Sequence, residues 1–382
     1  MAAPEIPNLL SMRGNRSRGG GRGRGVASGA RGGGPAAVDR DKMIRETDTD
    51  ANGSRRSAVA CGYLEDPYVT EFVADIGADT PALRMPIINR GTYVRTIVID
   101  RLIENFINAH PEQNVQIISL GAGTDTRYFR YLDRGHKHQI LYHELDFPII
   151  SANKLSFITR SDRLAPPGSE FHALRSVPDH DPERKMWGYF TDNDKKAGYL
   201  FHPMDLRNLP AEIDCIRTDL PTLLVSECCL CYLTTDQADA VLNFFTSRIP
   251  TIGTVIYEPT NPSSAFGRVM TANLAARNLA MPSIATYDSL NAQLDRLRAA
   301  GLDMFQEGAS INWLWNNWVE DDEKVRLGQV QMFDEEEEWK LLGGHYLVVW
   351  GAREQRVTEG AFGGWDFLEG EEERRIKETG EE

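Results

Sequence analysis

Two hydrophobic periods alternate along the middle of this chain. Short apolar runs at 115–120, 140–146, 197–201, 221–225, 253–257 and 345–351 have the length and branched-chain content of strands covered on both faces. Between them, apolar residues recur at helical spacing. Residues 95–108, with Ile97, Ile99, Leu102, Ile103 and Phe106, are an example. Helices are expected at 95–108, 238–247, 266–279, 287–299 and 335–342. Thr234 offers an N-cap to the second of these and Gly301 a C-cap to the fourth. Repeated alternation of this kind predicts an α/β fold, a mostly parallel sheet with helices on both faces. Residues 150–198 break the pattern with Pro166-Pro167 and charged clusters, and read as an insertion.

Ligands of such sheets bind beyond the C-terminal strand ends. The first strand ends in Gly121-Ala122-Gly123, where glycine permits positive φ and close approach of a ligand to the backbone. A dinucleotide fingerprint would place Gly or Ala at position 126, and this chain has Thr126. The loop therefore suits a nucleoside without a pyrophosphate, such as S-adenosylmethionine. Asp146 ends the next strand, 25 residues after Gly121, and a carboxylate there can accept from both ribose hydroxyls. Glu144, on the same face but earlier in the strand, is the rival. Asp205-Leu206, Glu227 and Glu258 follow at the ends of later strands and extend the candidate site.

The 382 residues are 41% hydrophobic with seven Trp and carry a net charge of −14, which argues against nucleic acid as the main partner of the folded part. No apolar stretch approaches the ~18 residues of a membrane span, and no signal-peptide core opens the chain. The cluster Cys228, Cys229 and Cys231 fits no zinc spacing and reads as reduced thiols, with no metal expected. A cytoplasmic or nuclear location follows. Residues 11–40 hold ten Gly and seven Arg, and 366–382 hold eight acids against three bases. Residues 1–50 and 354–382 are therefore expected to be disordered tails around a domain at 51–353. The Arg-Gly tail reads either as a segment that binds RNA or accepts arginine methylation, or as a solubilising extension without a partner.

With those residues in view, the chain resembles the leucine carboxyl methyltransferases. The resemblance rests on Leu120-Gly-Ala-Gly-x-Asp-Thr126, Glu144-Leu-Asp-Phe-Pro148 and Ser226-Glu-Cys-Cys-Leu-Cys-Tyr232. Asn89-Arg-Gly-Thr-Tyr-Val-Arg95, Gly62-Tyr-Leu-Glu-Asp-Pro-Tyr68, Phe266-Gly-x-x-Met270 with Asn273-Leu274, and His345-Tyr346 extend it over about residues 55–352. It implies a class I, Rossmann-like methyltransferase with a seven-stranded sheet and added helical substrate-binding segments. The implied reaction is methylation of the C-terminal leucine carboxylate of protein phosphatase 2A catalytic subunits, with S-adenosylmethionine as methyl donor and a monomeric enzyme. By the same resemblance Gly121 would contact the methionine moiety and Asp146 the ribose, while Asp205 and Leu206 would bracket the adenine. Glu227 would line the amino acid end, and Arg95 would bind a carboxylate. Arg55 stands where the family has a cofactor-binding Lys, and Tyr232 with Arg95 would form the catalytic pocket wall. The related tRNA wybutosine methyltransferases add a kelch-type propeller, whose repeats this chain lacks. A small-molecule O-methyltransferase, or an inactive fold whose Arg-Gly tail binds RNA, are the other readings.

Overall fold

The computed structural model describes residues 40–73, 81–164, 172–175, 186–354, 360 and 362. Its centre is one nine-stranded sheet in the order β3-β4-β5-β2-β1-β6-β7-β9-β8. The strands are β1 (Val115–Leu120), β2 (Ile140–Asp146), β3 (His172–Arg175), β4 (Met186–Phe190) and β5 (Gly198–Pro203), then β6 (Thr222–Glu227), β7 (Ile252–Pro259), β8 (Phe305–Ser310) and β9 (Tyr346–Arg353). The five central strands, from β5 to β7, run parallel. β9 is antiparallel to β7 and carries β8 on its outer edge. These seven are the expected class I sheet. The count of seven needs correcting to nine, because β3 and β4 form an antiparallel pair on the far edge, inside the segment read as an insertion. β8 also went unpredicted, since Gln306, Glu307 and Gly308 interrupt its apolar pattern.

All six residues of β1 are buried, and successive side chains enter opposite layers: Ile117 packs with one core cluster and Ile118 with the other. The first layer holds α2 (Pro86–Asn108) and α3 (Arg127–Asp133); the second holds α5 (Thr235–Thr246) and α7 (Leu290–Ala299). Pro86 starts α2 nine residues before the predicted helix, at a position where its missing N–H costs nothing. Thr234 and Gln237 complete the expected capping box on α5. α4 (Pro148–Ile158) follows β2, and α6 (Ala265–Ala276) follows β7. Three further helices, α8 (Ile311–Trp318), α9 (Asp321–Val330) and α10 (Glu336–Gly344), lie between β8 and β9.

Two boundary expectations change. Residues 40–50, read as part of a tail, form the first half of helix α1 (Arg40–Ala60). Polar ties hold this half down, as described below. Within the C-terminal tail, Phe362 is buried with its ring stacked on Phe106 at 5.3 Å, in space left by Gly253. The remainder of both tails lies outside the described residues. No described helix is long and apolar enough to cross a membrane.

Candidate active site

The C-terminal ends of β1, β2, β6 and β7 open into one cavity of about 410 Å³, roofed by α1, α2, α6 and α10. Every residue singled out for the cofactor or the catalytic wall lines it: Arg55, Arg95, Gly121, Asp146, Asp205, Leu206, Glu227 and Tyr232. Glu258 does not. It faces α7 instead, buried against Arg296 at 3.1 Å and Gln293 at 3.2 Å. Strand alternation explains the difference, because its neighbour Tyr257 is the residue that faces the cavity.

The glycine turn is shaped as its sequence requires. Gly121 and Gly123 have φ of +62° and +51°, and a Cβ on Gly121 would sit 2.7 Å from the Cys229 sulfur. Asp146 holds the turn from β2: one carboxylate oxygen accepts from Gly123 N–H and the other from Phe147 N–H, each at 2.7 Å. Burial pushes its pKa up to about 6, against the pull of those two amides. Glu144, the rival, points elsewhere. Its carboxylate accepts from Lys154 Nζ at 2.7 Å and Tyr199 OH at 2.8 Å, and burial lifts its pKa to about 7. The same Lys154 donates to the Asp125 carbonyl at 2.7 Å and so braces the far end of the glycine turn.

Beyond the turn lies a lattice of paired charges. Arg95 donates to Glu227 at 2.6 Å, and Arg127 donates to the other oxygen of the same carboxylate. Arg127 also bonds Asp125 at 2.9 Å and Asp100 at 2.6 Å, while Asp100 further accepts from Arg130. Burial opposes the charge on Glu227, yet the two arginines outweigh it and hold its pKa low. Burial likewise opposes the charge on Arg95, and Glu227 more than restores it. Arg95 also lies over the Tyr257 ring, 4.8 Å from its centroid. Arg55 is committed to Asp66 at 2.5 Å, with Thr96 at 3.4 Å. Asp205 also lines the cavity, its carboxylate engaged by the Arg207 amide and guanidinium.

α1 supplies residues that sequence patterning missed. Asp48 accepts from Thr124 N–H at 2.7 Å and Thr124 O–H at 2.8 Å, seated over Gly123 where a Cβ would collide with it. Asp41 bonds Arg207, and Asp50 meets Arg277, the residue that follows α6, at 2.5 Å. The helix is polar, with only Ser57 and Ala58 buried, so no apolar stripe marks it. Arg127 was missed for a different reason: a buried arginine leaves no signature in spacing.

The opposite end of the cavity is apolar. Ile87 and Ile88 from α2, Phe266 and Met270 from α6, Ile311 from α8, and Trp339 and Leu342 from α10 form its walls, with Tyr346 beside them. Among the described lining residues there is no histidine or lysine. The cavity thiols Cys229 and Cys231 are free, and burial raises both pKa values well above the ordinary range.

A Rossmann-like sheet, a glycine turn with a carboxylate on the next strand, and no dinucleotide fingerprint define a class I methyltransferase. The leucine carboxyl methyltransferase family model matches residues 44–246, and the chain belongs to that family. It is an S-adenosylmethionine-dependent carboxyl methyltransferase. It is 40% identical to leucine carboxyl methyltransferase 1 of Aspergillus fumigatus and 38% identical to that of Emericella nidulans, in each case over 97% of this chain and 99% of the relative. The Schizosaccharomyces pombe protein of the same name is 33% identical over 81% of this chain and 94% of its own length. Among solved structures, the plantazolicin methyltransferase BamL aligns over 83% of this chain and all of that one, at 9% identity and a TM-score of 0.41.

Proposed function

We propose that the enzyme esterifies the C-terminal leucine α-carboxylate of protein phosphatase 2A catalytic subunits. The supporting observation is the continuity of the cavity: one end is built for a charged nucleoside, and the other is an apolar recess without an acid–base pair. Asp146 is the ribose ligand in this reading, Gly121 borders the methionine chain, and Asp205 with Leu206 brackets the adenine. Glu227 and Arg95 face the α-amino and α-carboxylate groups of the cofactor, with Arg55 supporting the latter. Because Arg55 is tied to Asp66, its contribution is to the field of the site rather than as a free clamp. The opposite charges of Arg95 and Glu227 match a zwitterionic amino acid end, so the residues present fit the cofactor.

When bound, S-adenosylmethionine supplies an activated methyl group on a sulfonium. The acceptor carboxylate, with a reference pKa of about 3.5, is ionised at neutral pH, so the chain needs no general base. What the chain must do is align the carboxylate oxygen with the methyl–sulfur bond, an effect able to lower a barrier by ~7–11 kcal/mol. Charge is lost in the reaction, so the apolar walls of Phe266, Met270 and Leu342 help by excluding water that would stabilise the charged reactants. Tyr232 lines the same cavity and serves as part of the pocket wall in this reading. We place the reaction in the cytoplasm and expect a monomer.

The test is transfer of labelled methyl from S-adenosylmethionine to the phosphatase core enzyme with and without its terminal leucine. Base-labile label that requires the leucine supports the proposal. Label on neither form, with cofactor still bound, sinks it.

A further inference from the structure

His345 and Ser264 lie outside the cavity wall, yet they join the elements that build its apolar end. The His345 Nδ1 is 2.6 Å from the Leu341 carbonyl, which can only accept, so Nδ1 carries the proton and Nε2 offers a lone pair. Ser264 O–H lies 2.6 Å from Nε2 and 3.1 Å from the Asn261 carbonyl, and its one proton goes to the nearer acceptor, the ring. The same Ser264 oxygen N-caps α6 by accepting Gly267 N–H at 2.8 Å. One directed chain of hydrogen bonds thus runs from the first turn of α6, through the imidazole, to the last turn of α10. Two more contacts tighten the junction: the ring lies 4.6 Å from the Phe266 ring, and the His345 carbonyl accepts from Thr260 N–H at 2.9 Å. Burial lowers the His345 pKa, which keeps the ring neutral as this chain requires. There is little slack, since a Cβ on Gly267 would overlap the Asn261 carbonyl.

α6 presents Phe266 and Met270 to the cavity, and α10 presents Trp339 and Leu342. The spacing between these pairs sets the room for an apolar side chain. We propose that His345 and Ser264 are positioning residues for the acceptor: by fixing α6 against α10 they set the fit of its terminal side chain without touching the cofactor. This rests on the reading that the apolar end takes the C-terminal leucine.

The test compares Ser264→Ala, Ser264→Thr, His345→Gln and the Ser264→Ala/His345→Gln double variant, with the phosphatase core as acceptor. Ser264→Ala and His345→Gln should each raise the acceptor KM by about fivefold, the size of the one hydrogen bond that both variants lose. Their kcat at saturating acceptor and their affinity for S-adenosylhomocysteine should stay within about twofold of the parent. Ser264→Thr, which keeps the hydroxyl, should restore the KM, and the double variant should be no worse than the weaker single one. An unchanged KM, or a KM rise matched by equal loss of cofactor affinity, overturns the proposal. Hydrogen exchange supplies a readout independent of turnover: amides 266–270 should exchange faster in both single variants, and unchanged protection also overturns it. A parent enzyme that methylates no leucine terminus would instead remove the proposed function, leaving the exchange result to decide the coupling of α6 to α10.

Discussion

Between Asp146 and Glu227 the cavity wall is a lattice of charge-assisted hydrogen bonds, whereas between Ile87 and Leu342 it is mostly carbon. The first region is built from strand ends and the turns that leave them, with α1 laid across. The second is assembled from four helices, three of which follow β7 in the chain. The contrast separates two tasks. A charged ligand can be fixed by a few directional bonds from a rigid sheet, while an apolar side chain is recognised by the distance between walls. The two regions should accordingly fail in different ways.

The largest effect should come from Glu227→Gln. Its carboxylate is shared by Arg95 and Arg127, so removing the charge leaves two arginines without their common partner. A loss of about 3 kcal/mol of stability is expected, with a lowered Tm and cofactor affinity reduced along with it, measurable by denaturant unfolding and calorimetry. An unchanged midpoint would mean that Asp100 and Asp125 suffice to hold Arg127. Asp146→Asn comes next. It keeps the shape of the side chain but loses the charged acceptor, and S-adenosylhomocysteine should bind on the order of 100-fold more weakly.

The same carboxylate sets a pH dependence. The Asp146 pKa is pushed up to about 6 by burial, and ribose hydroxyls need its ionised form as an acceptor. Cofactor affinity should rise as pH increases through 6 and level off above it, with about tenfold loss per unit below. The sign for the free enzyme is opposite. The folded protein retains a proton that the unfolded chain releases near about 4. The contribution of Asp146 to stability therefore falls as pH rises from 4 to 6. Thermal melts over that range with and without S-adenosylhomocysteine should separate the two trends. A cofactor-induced Tm shift that is flat across pH 5–7 would remove Asp146 from the ribose. The smallest effect is expected from Met270→Ala, which widens the apolar recess on a flexible, half-buried side chain. Acceptor KM should rise several-fold and cofactor affinity should not move.

These two regions also differed in how much the sequence disclosed. The polar end was legible because its chemistry is local: Gly121 and Gly123 need positive φ, and Asp146 and Glu227 terminate strands whose apolar runs are unmistakable. The same rule failed at Glu258, where Arg296 of α7 draws the side chain to the other face of the sheet. Asp48 stayed hidden because α1 is held by Asp41–Arg207, Asp48–Thr124 and Asp50–Arg277, ties between residues far apart in the chain. Nothing in residues 40–50 themselves demands a helix, and the neighbouring Arg-Gly segment biases the reading toward a tail. At the apolar end Phe266 and Met270 were noticed through a motif, but Ile311, Trp339 and Leu342 carry only the ordinary spacing of core positions. Whether a buried apolar residue faces a core or a cavity is settled by tertiary packing alone.

The central claim is that the two ends of the cavity do separate work. The direct test is to measure S-adenosylhomocysteine Kd and acceptor KM side by side for the parent enzyme, Asp146→Asn and Met270→Ala. The account predicts a crossed result. Asp146→Asn should lose cofactor affinity while its acceptor KM at saturating cofactor stays near the parent value, and Met270→Ala should do the reverse. Equal losses of both quantities in both variants would contradict it and mean that the cavity works as a single undivided site.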